Sequence, residues 1–214
     1  MMRNFQFPGR SVVYSRNGMV ASSHQLASSL GIEILKKGGN AIDSAIAMSL
    51  MLPLCEPQST GLFGDVFCII KKGASEDFVG LNGSGKSPTG INPDQIRLTG
   101  KLKIPETDIS TITLPGALKS FESLHKNYGK LDLNEICKPV IAYAENGVPV
   151  SPRVAFDWSH SIRNLKGFAK DFYTKNGAPY KIGDLFKAPQ QAKVLKKFVK
   201  NGAKGFYEGE VAED

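Results

Sequence analysis

The sequence predicts an α+β fold, with helices covering a sheet of antiparallel strands. Three observations carry that prediction. Residues 41–54 form a helix-length run that is apolar almost all round. Two short strand-like runs, 65–71 and 77–82, are joined by Lys71-Lys72-Gly73-Ala74-Ser75-Glu76, a natural hairpin link. From Gly116 onward helical spacing dominates.

Taken in order, 11–14 and 19–22 read as short strands joined by a turn at Asn17-Gly18. Ser22 or Ser23 then offers an N-cap for a helix whose Ala27, Leu30, Gly31 and Ile34 share one face, and Gly38 supplies its stop. Asn40 is placed to cap the next helix, with Asp43 three residues on able to reach back and to favour the positive helix end. Pro53 and Pro57 are expected to end that helix. After a Gly/Pro-rich passage over 83–93, helices are expected at 116–128, 132–146, 153–165 and 189–201. In the last of these Val194, Leu195, Phe198 and Val199 form one face and Lys193, Lys196, Lys197 and Lys200 the other, an ordinary amphipathic pattern rather than a dock for an acidic partner. Residues 205–212 read as the start of a further helix without a terminating signal, so the chain is expected to be cut short there.

With 214 residues, 41% of them hydrophobic, the chain can bury a substantial core. No internal repeat or low-complexity linker divides it. The formal charge of +7 comes mostly from lysine spread over the C-terminal half, without an arginine cluster or an aromatic-interleaved basic stripe, so no nucleic-acid partner is expected. Cys55, Cys68 and Cys137 have no CxxC spacing, and the first two lie in apolar runs as buried hydrophobes do. That argues for a reducing compartment and against a disulfide framework or a metal site. The N-terminus has no apolar signal region, and the run from Ala45 to Leu54 is too short to cross a bilayer. A cytoplasmic protein with no membrane partner is expected.

The stretch Lys37-Gly38-Gly39-Asn40-Ala41-Ile42-Asp43-Ser44-Ala45, followed by Glu56-Pro57-Gln58-Ser59-Thr60-Gly61-Leu62-Phe63-Gly64-Asp65, resembles the N-terminal part of the gamma-glutamyltransferase family, also called gamma-glutamyltranspeptidases or glutathione hydrolases. Leu114-Pro115-Gly116-Ala117, Ala144-Glu145-Asn146-Gly147-Val148-Pro149-Val150-Ser151 and Gly205-Phe206-Tyr207-Glu208-Gly209-Glu210 extend the resemblance, in the order that the family shows. The resemblance implies an N-terminal-nucleophile hydrolase with an αββα sandwich. Such a precursor cuts itself into a large and a small subunit, and the new N-terminal threonine is the catalyst. On this reading 1–214 is the first part of a large subunit. Residues 1–100 supply sandwich helices and strands, 101–214 are mainly helical, and the small subunit is a missing partner. No cofactor is implied.

A threonine hydroxyl needs a nearby base, and the α-amine freed by self-cleavage supplies one within the same residue. No internal threonine can do this without cleavage. The family resemblance implies an ordinary strand end at Thr113, no catalytic residue is assigned, and this chain alone is expected to be inactive. His24, His125 and His160 lack the mutual spacing for a Ser/His or Cys/His arrangement and read as exposed or capping residues. Asp43, Glu56 and Asp65 read as a helix cap and turn hydrogen bonds rather than an acid/base group. The glycines of 80–90 have no Gly-Lys-Ser/Thr ending and serve turns rather than a phosphate.

The informative departure lies at Leu81-Asn82-Gly83-Ser84-Gly85-Lys86-Ser87-Pro88. The family carries an arginine four residues before the matching proline, paired with the α-carboxylate of the glutamyl donor, and here that position is Ser84. A hydroxyl cannot replace that bidentate charged contact. In an extended segment Lys86 points to the same side as Ser84 and can supply a point charge, so Ser84 and Lys86 are the candidate substrate-binding residues for a gamma-glutamyl or related acyl-amide substrate. A second departure places Phe63 where the family loop has a glycine. The alternative to the enzyme reading is a non-catalytic, partner-binding relic, which would expose an apolar face.

Overall fold

The computed structural model describes residues 13–100, 103–105 and 108–213. Helix α1 (Gln25–Lys36) and helix α2 (Ala41–Cys55) form a closely packed hairpin. The buried residues of α1 are Ala27, Leu30, Gly31 and Ile34, as its spacing predicts. A Cβ on Gly31 would meet Met48 Sδ at 2.7 Å and Ser44 Oγ at 2.9 Å, so the missing side chain is what lets the two helices approach. The Ser44 hydroxyl uses that proximity to donate to the Gly31 carbonyl at 2.9 Å.

Between the helices the chain closes a two-bond C-terminal cap. Gly38, at φ +91°, donates to Leu35 O at 3.0 Å, and Gly39 donates to Ile34 O at 3.0 Å. Asn40 then starts α2 with a complete capping box: its side chain accepts from Ile42 N and Asp43 N, while Asp43 accepts from Asn40 N. Such a box contributes about 1 kcal/mol.

Three expectations are corrected here. The cap of α1 is His24, whose Nδ1 accepts from Leu26 N at 3.3 Å, while Ser22 donates to the His24 carbonyl. Pro53 lies inside the last turn of α2 rather than ending it, because a proline there forfeits only one bond of a turn that is already packed. Residues 13–22 form no strand. They carry a bend at Arg16-Asn17 and find no ladder partner among the described residues; the part of the expected first strand at residues 11 and 12 lies outside them.

Strands β1 (Val66–Lys71) and β2 (Phe78–Gly83) pair antiparallel, with Cys68 opposite Leu81 and Ile69 opposite Gly80. Val66, Cys68, Ile70 and Leu81 face the helical core. Phe67, Ile69 and Phe78 point the other way and are 70%, 78% and 65% exposed. The apolar character of both faces is thus a property of the sequence, while only one face is covered by the described residues.

A short helix α3 (Pro93–Leu98), capped by Asn92, follows at the end of the Gly/Pro-rich passage. Residues Ile109–Thr111 form a 3-10 turn, so the β-branched run at 110–113 is not a strand. Helix α4 (Ala117–Tyr128) and helix α5 (Leu133–Asn146) come next, the latter capped by Asp132. Two-residue strands β3 (Val148–Pro149) and β4 (Leu185–Phe186) pair antiparallel and bracket helix α6 (Pro152–Ser161) and helix α7 (Gly167–Phe172). Trp158 is buried here against Phe186, with ring centroids 5.0 Å apart, and donates Nε1–H to Tyr173 O. The expected helix at 153–165 ends at Ser161 and passes into a 3-10 turn.

Helix α8 (Pro189–Asn201) has its expected bounds. It buries Ala192, Leu195 and Phe198, with Val194 and Val199 half-buried beside them, against α5. Two lysines of its polar face are spoken for: Lys196 pairs with Glu145 and Lys197 with Glu210. Helices α9 (Lys204–Tyr207) and α10 (Glu210–Glu213) complete the described chain. Among the described residues no helix is long and apolar enough to cross a membrane.

Candidate substrate groove

The groove is built by backbone contact before any side chain enters it. Two loops, 83–86 and 114–117, lie against each other, with Leu114 N donating to Lys86 O at 2.9 Å, and the second is also tied to the turn before β1, where Gly116 N and Ala117 N both donate to Gly64 O. This approach requires glycine. A Cβ on Gly85 would sit 1.7 Å from Leu114 O, and one on Gly116 would sit 2.0 Å from Gly83 O. Asp65 ties the first loop from below, its Oδ1 accepting from Gly85 N at 2.8 Å.

The α9 segment closes the far side. Tyr207 donates its hydroxyl to Pro115 O at 2.6 Å and accepts from Lys119 N at 3.3 Å. Glu122, on α4, accepts the Ala203 N–H at 3.1 Å and ion-pairs with Lys119 and Lys126 at 2.9 and 3.0 Å. Burial alone would raise the Glu122 carboxyl, but the two lysines and the Ala203 N–H outweigh it and hold it at about 2. Tyr207 shifts upward instead, chiefly through burial.

These contacts enclose a groove of about 660 Å³ lined by Ser84, Lys86, Lys119, Ser123, Lys204 and Tyr207, among others. The structure therefore brings the two sequence-derived candidates, Ser84 and Lys86, to one groove, and both are exposed there. Ser84 N–H is held by Asn82 Oδ1 at 3.0 Å, which fixes the loop rather than the hydroxyl. Sequence reasoning missed Lys119, Ser123, Lys204 and Tyr207. The Leu-Pro-Gly-Ala and Gly-Phe-Tyr-Glu segments that carry or flank most of them were visible, but nothing in either states that they meet.

The residues set aside as non-catalytic are accounted for by structure. Asp43 is fully buried and accepts backbone N–H groups, Glu56 accepts from the Ser23 hydroxyl, and Asp65 braces the loop. His125 Nε2 lies 2.7 Å from Leu131 O, and exposed His160 binds its own helix through Phe156 O. His24 is buried with Nε2 unpartnered; desolvation lowers its pKa, against the opposing pull of Glu56. The three cysteines are free, and burial pushes the Cys55 and Cys137 thiols up to about 12, far from a reactive thiolate. Among the described residues no group of His, Cys, Asp and Glu is placed to hold a metal ion. Phe63 packs edge-on against Phe206 at 5.0 Å, so this departure from the family pattern helps to seat α9.

A family model described as Gamma-glutamyltranspeptidase matches residues 27–214. The chain belongs to that family. It is 36% identical over 210 residues to a glutathione hydrolase-like YwrD proenzyme from Bacillus subtilis, covering 95% of this chain and 39% of that relative. Among solved structures, the gamma-glutamyltranspeptidase of Helicobacter pylori superposes with a TM-score of 0.87 at 32% identity, over 95% of this chain and 60% of that one. A cephalosporin acylase from Bacillus halodurans gives 0.88 at 33% identity, over 98% and 41%. The gamma-glutamyltranspeptidase fold is thus the α+β fold of this chain, which spans about two fifths of the length of the first curated relative.

Proposed function

We propose that this chain is the N-terminal part of the large subunit of a gamma-glutamyltransferase-like enzyme. That enzyme transfers or hydrolyses gamma-glutamyl or related amide acyl groups through a threonyl ester. The chain supplies the acyl-binding loop with Ser84 and Lys86, while the nucleophile and the oxyanion hole come from residues outside 1–214. The observation that carries the reading is the glycine-dependent docking of loop 83–86 on loop 114–117, which sets both side chains at the mouth of the groove. Family membership and the proenzyme in the relative's name support self-processing.

In this mechanism the α-amine freed by cleavage takes the threonine hydroxyl proton, the oxygen attacks the donor amide, and the leaving amine departs protonated. Water or a second amine then releases the acyl group from the ester. The residues of this chain bind and orient the acyl part; Lys86 offers its carboxylate a point charge where the family has an arginine fork. A partner-binding relic is the competing reading, favoured by the bare face of Phe67, Ile69 and Phe78. In the enzyme reading that face is covered by the remaining strands of the sandwich.

Intact-mass spectrometry over time on the product of the complete reading frame decides between them. Conversion of one precursor into two chains, the smaller starting with threonine, is expected. A single stable unprocessed species would remove the nucleophile and leave the relic.

A further inference from the structure

Helix α4 begins on a residue that cannot cap it. Its N-cap is Gly116, which makes no side-chain cap hydrogen bond, and glycine is required there because a Cβ would sit 2.0 Å from Gly83 O. The N–H groups of Gly116 and Ala117 go to Gly64 O. The Lys119 N–H, in the same first turn, goes to the Tyr207 hydroxyl at 3.3 Å, 88 residues away in sequence. That hydroxyl donates in turn to Pro115 O at 2.6 Å. One oxygen thus stands in for the missing cap and ties the loop before α4 to the helix.

The position of Tyr207 is itself well fixed. Ala203 N–H donates to Glu122 Oε1 at 3.1 Å, Gly205 lies where a Cβ would come 2.4 Å from Lys197 O, and buried Phe206 packs edge-on against Phe63 at 5.0 Å. Phe63 precedes Gly64, and Phe206 precedes Tyr207. Two dipeptides that touch through their aromatic rings therefore grip residues 115–117 together, one through a carbonyl and the other through a phenol.

We infer that Tyr207 is a positioning residue for the acyl-binding loop, acting on Ser84 and Lys86 through loop 114–117 rather than by touching the reacting atoms. This rests on the functional reading above and deepens it. The path is continuous: Tyr207 Oη to Pro115 O, Leu114 N to Lys86 O at 2.9 Å, and Gly116 against Gly83. Without the hydroxyl, Pro115 O and Lys119 N lose their partner, loop 114–117 gains freedom, and that freedom passes to the residues that orient the acyl group. In the enzyme reading the nucleophile lies outside 1–214, so the effect falls on donor binding rather than on the bond-making step.

The test is steady-state turnover of a gamma-glutamyl anilide by the complete, self-cleaved protein, in a double-mutant cycle of Tyr207→Phe with Lys86→Met. Tyr207→Phe keeps the ring against Phe206 and removes only the hydroxyl. Its KM is expected to rise about fivefold with kcat changed less than about twofold, as the loss of one neutral hydrogen-bonded tie implies. In the Lys86→Met background the same change should move KM by less than about twofold, because the loop then has no cation to aim. An unchanged KM, a fall in kcat instead, or the same effect in both backgrounds would overturn the inference. Phe63→Leu, which loosens α9 and leaves the hydroxyl in place, is the second variant. If Tyr207→Phe does not fold or cleave itself, a raised KM with unchanged kcat in Phe63→Leu supports the inference, and an unchanged KM overturns it. Failure of the underlying reading looks different: the wild type neither cleaves itself nor turns over the anilide, or Lys86→Met alone leaves KM as it was.

Discussion

The Asp43 carboxylate accepts the backbone N–H of Lys130, 87 residues away in sequence, at 3.0 Å. The same group accepts from Leu131 N at 3.2 Å and from Asn40 N at 2.9 Å, so one fully buried side chain caps α2 and fastens the turn between α4 and α5 to it. Asn40 reinforces the junction by donating to Tyr128 O at 2.6 Å.

Asp43→Ala leaves three backbone donors without their acceptor and is expected to lower stability by about 3 kcal/mol; Asp43→Asn, which keeps one oxygen, should cost roughly half of that. Urea unfolding midpoints of the two variants check the order. Equal losses would show that the charge, rather than the acceptor count, holds the junction.

Glu122 makes stability depend on acid. Its carboxyl is held at about 2, below the ordinary 4.5, so its contribution is complete above pH 4.5 and is lost as pH falls toward 2. Glu122→Gln is expected to cost about 2 kcal/mol at pH 7 and almost nothing near pH 2, because the wild type has then lost the same interactions. Unfolding curves at the two pH values give the difference directly.

His24 acts in a different window. Its pKa lies below the ordinary 6.5, chiefly through burial, so protonation favours the unfolded chain. Stability is therefore complete above pH 6.5 and declines as pH drops below it. His24→Asn keeps a good helix cap without the titration and should flatten that part of the pH profile. An unchanged slope would assign the decline to other groups.

Gly116→Ala drives a methyl group into the Gly83 carbonyl, which a Cβ would approach to 2.0 Å. A cost of about 2 kcal/mol is expected, together with a raised KM in the complete enzyme, since the loop carrying Ser84 and Lys86 is displaced. Gly90→Ala, where a Cβ meets nothing within 4 Å, is the control.

Ser84→Arg restores the residue type that the family resemblance places at this position. It should lower KM for a gamma-glutamyl anilide by about tenfold in the complete enzyme, the value of one charge-assisted fork. No gain would mean that the loop of this chain is aimed differently.

What the sequence by itself determined was local or periodic. The buried stripe of α1, the Gly38 stop, the Asn40 and Asp43 capping box, the β1–β2 hairpin and the bounds of α8 all depend on residues within a few positions of one another, and each stood in the structure as the spacing implied. Family membership was legible for the same reason, as several short motifs in one order. Tertiary structure decided the rest. Residues 13–22 have strand-like composition, but a strand needs a partner along its edge, which composition does not specify. His24 displaced the serines as a cap because burial selected it. The groove is the clearest case. Ser84 and Lys86 announced themselves by a departure from a motif, whereas Lys204 and Tyr207 reach it from the far end of the chain, Tyr207 across 92 residues to Pro115. No local pattern encodes that meeting, because it follows from where α4 and α8 pack and from the glycines that let two loops touch.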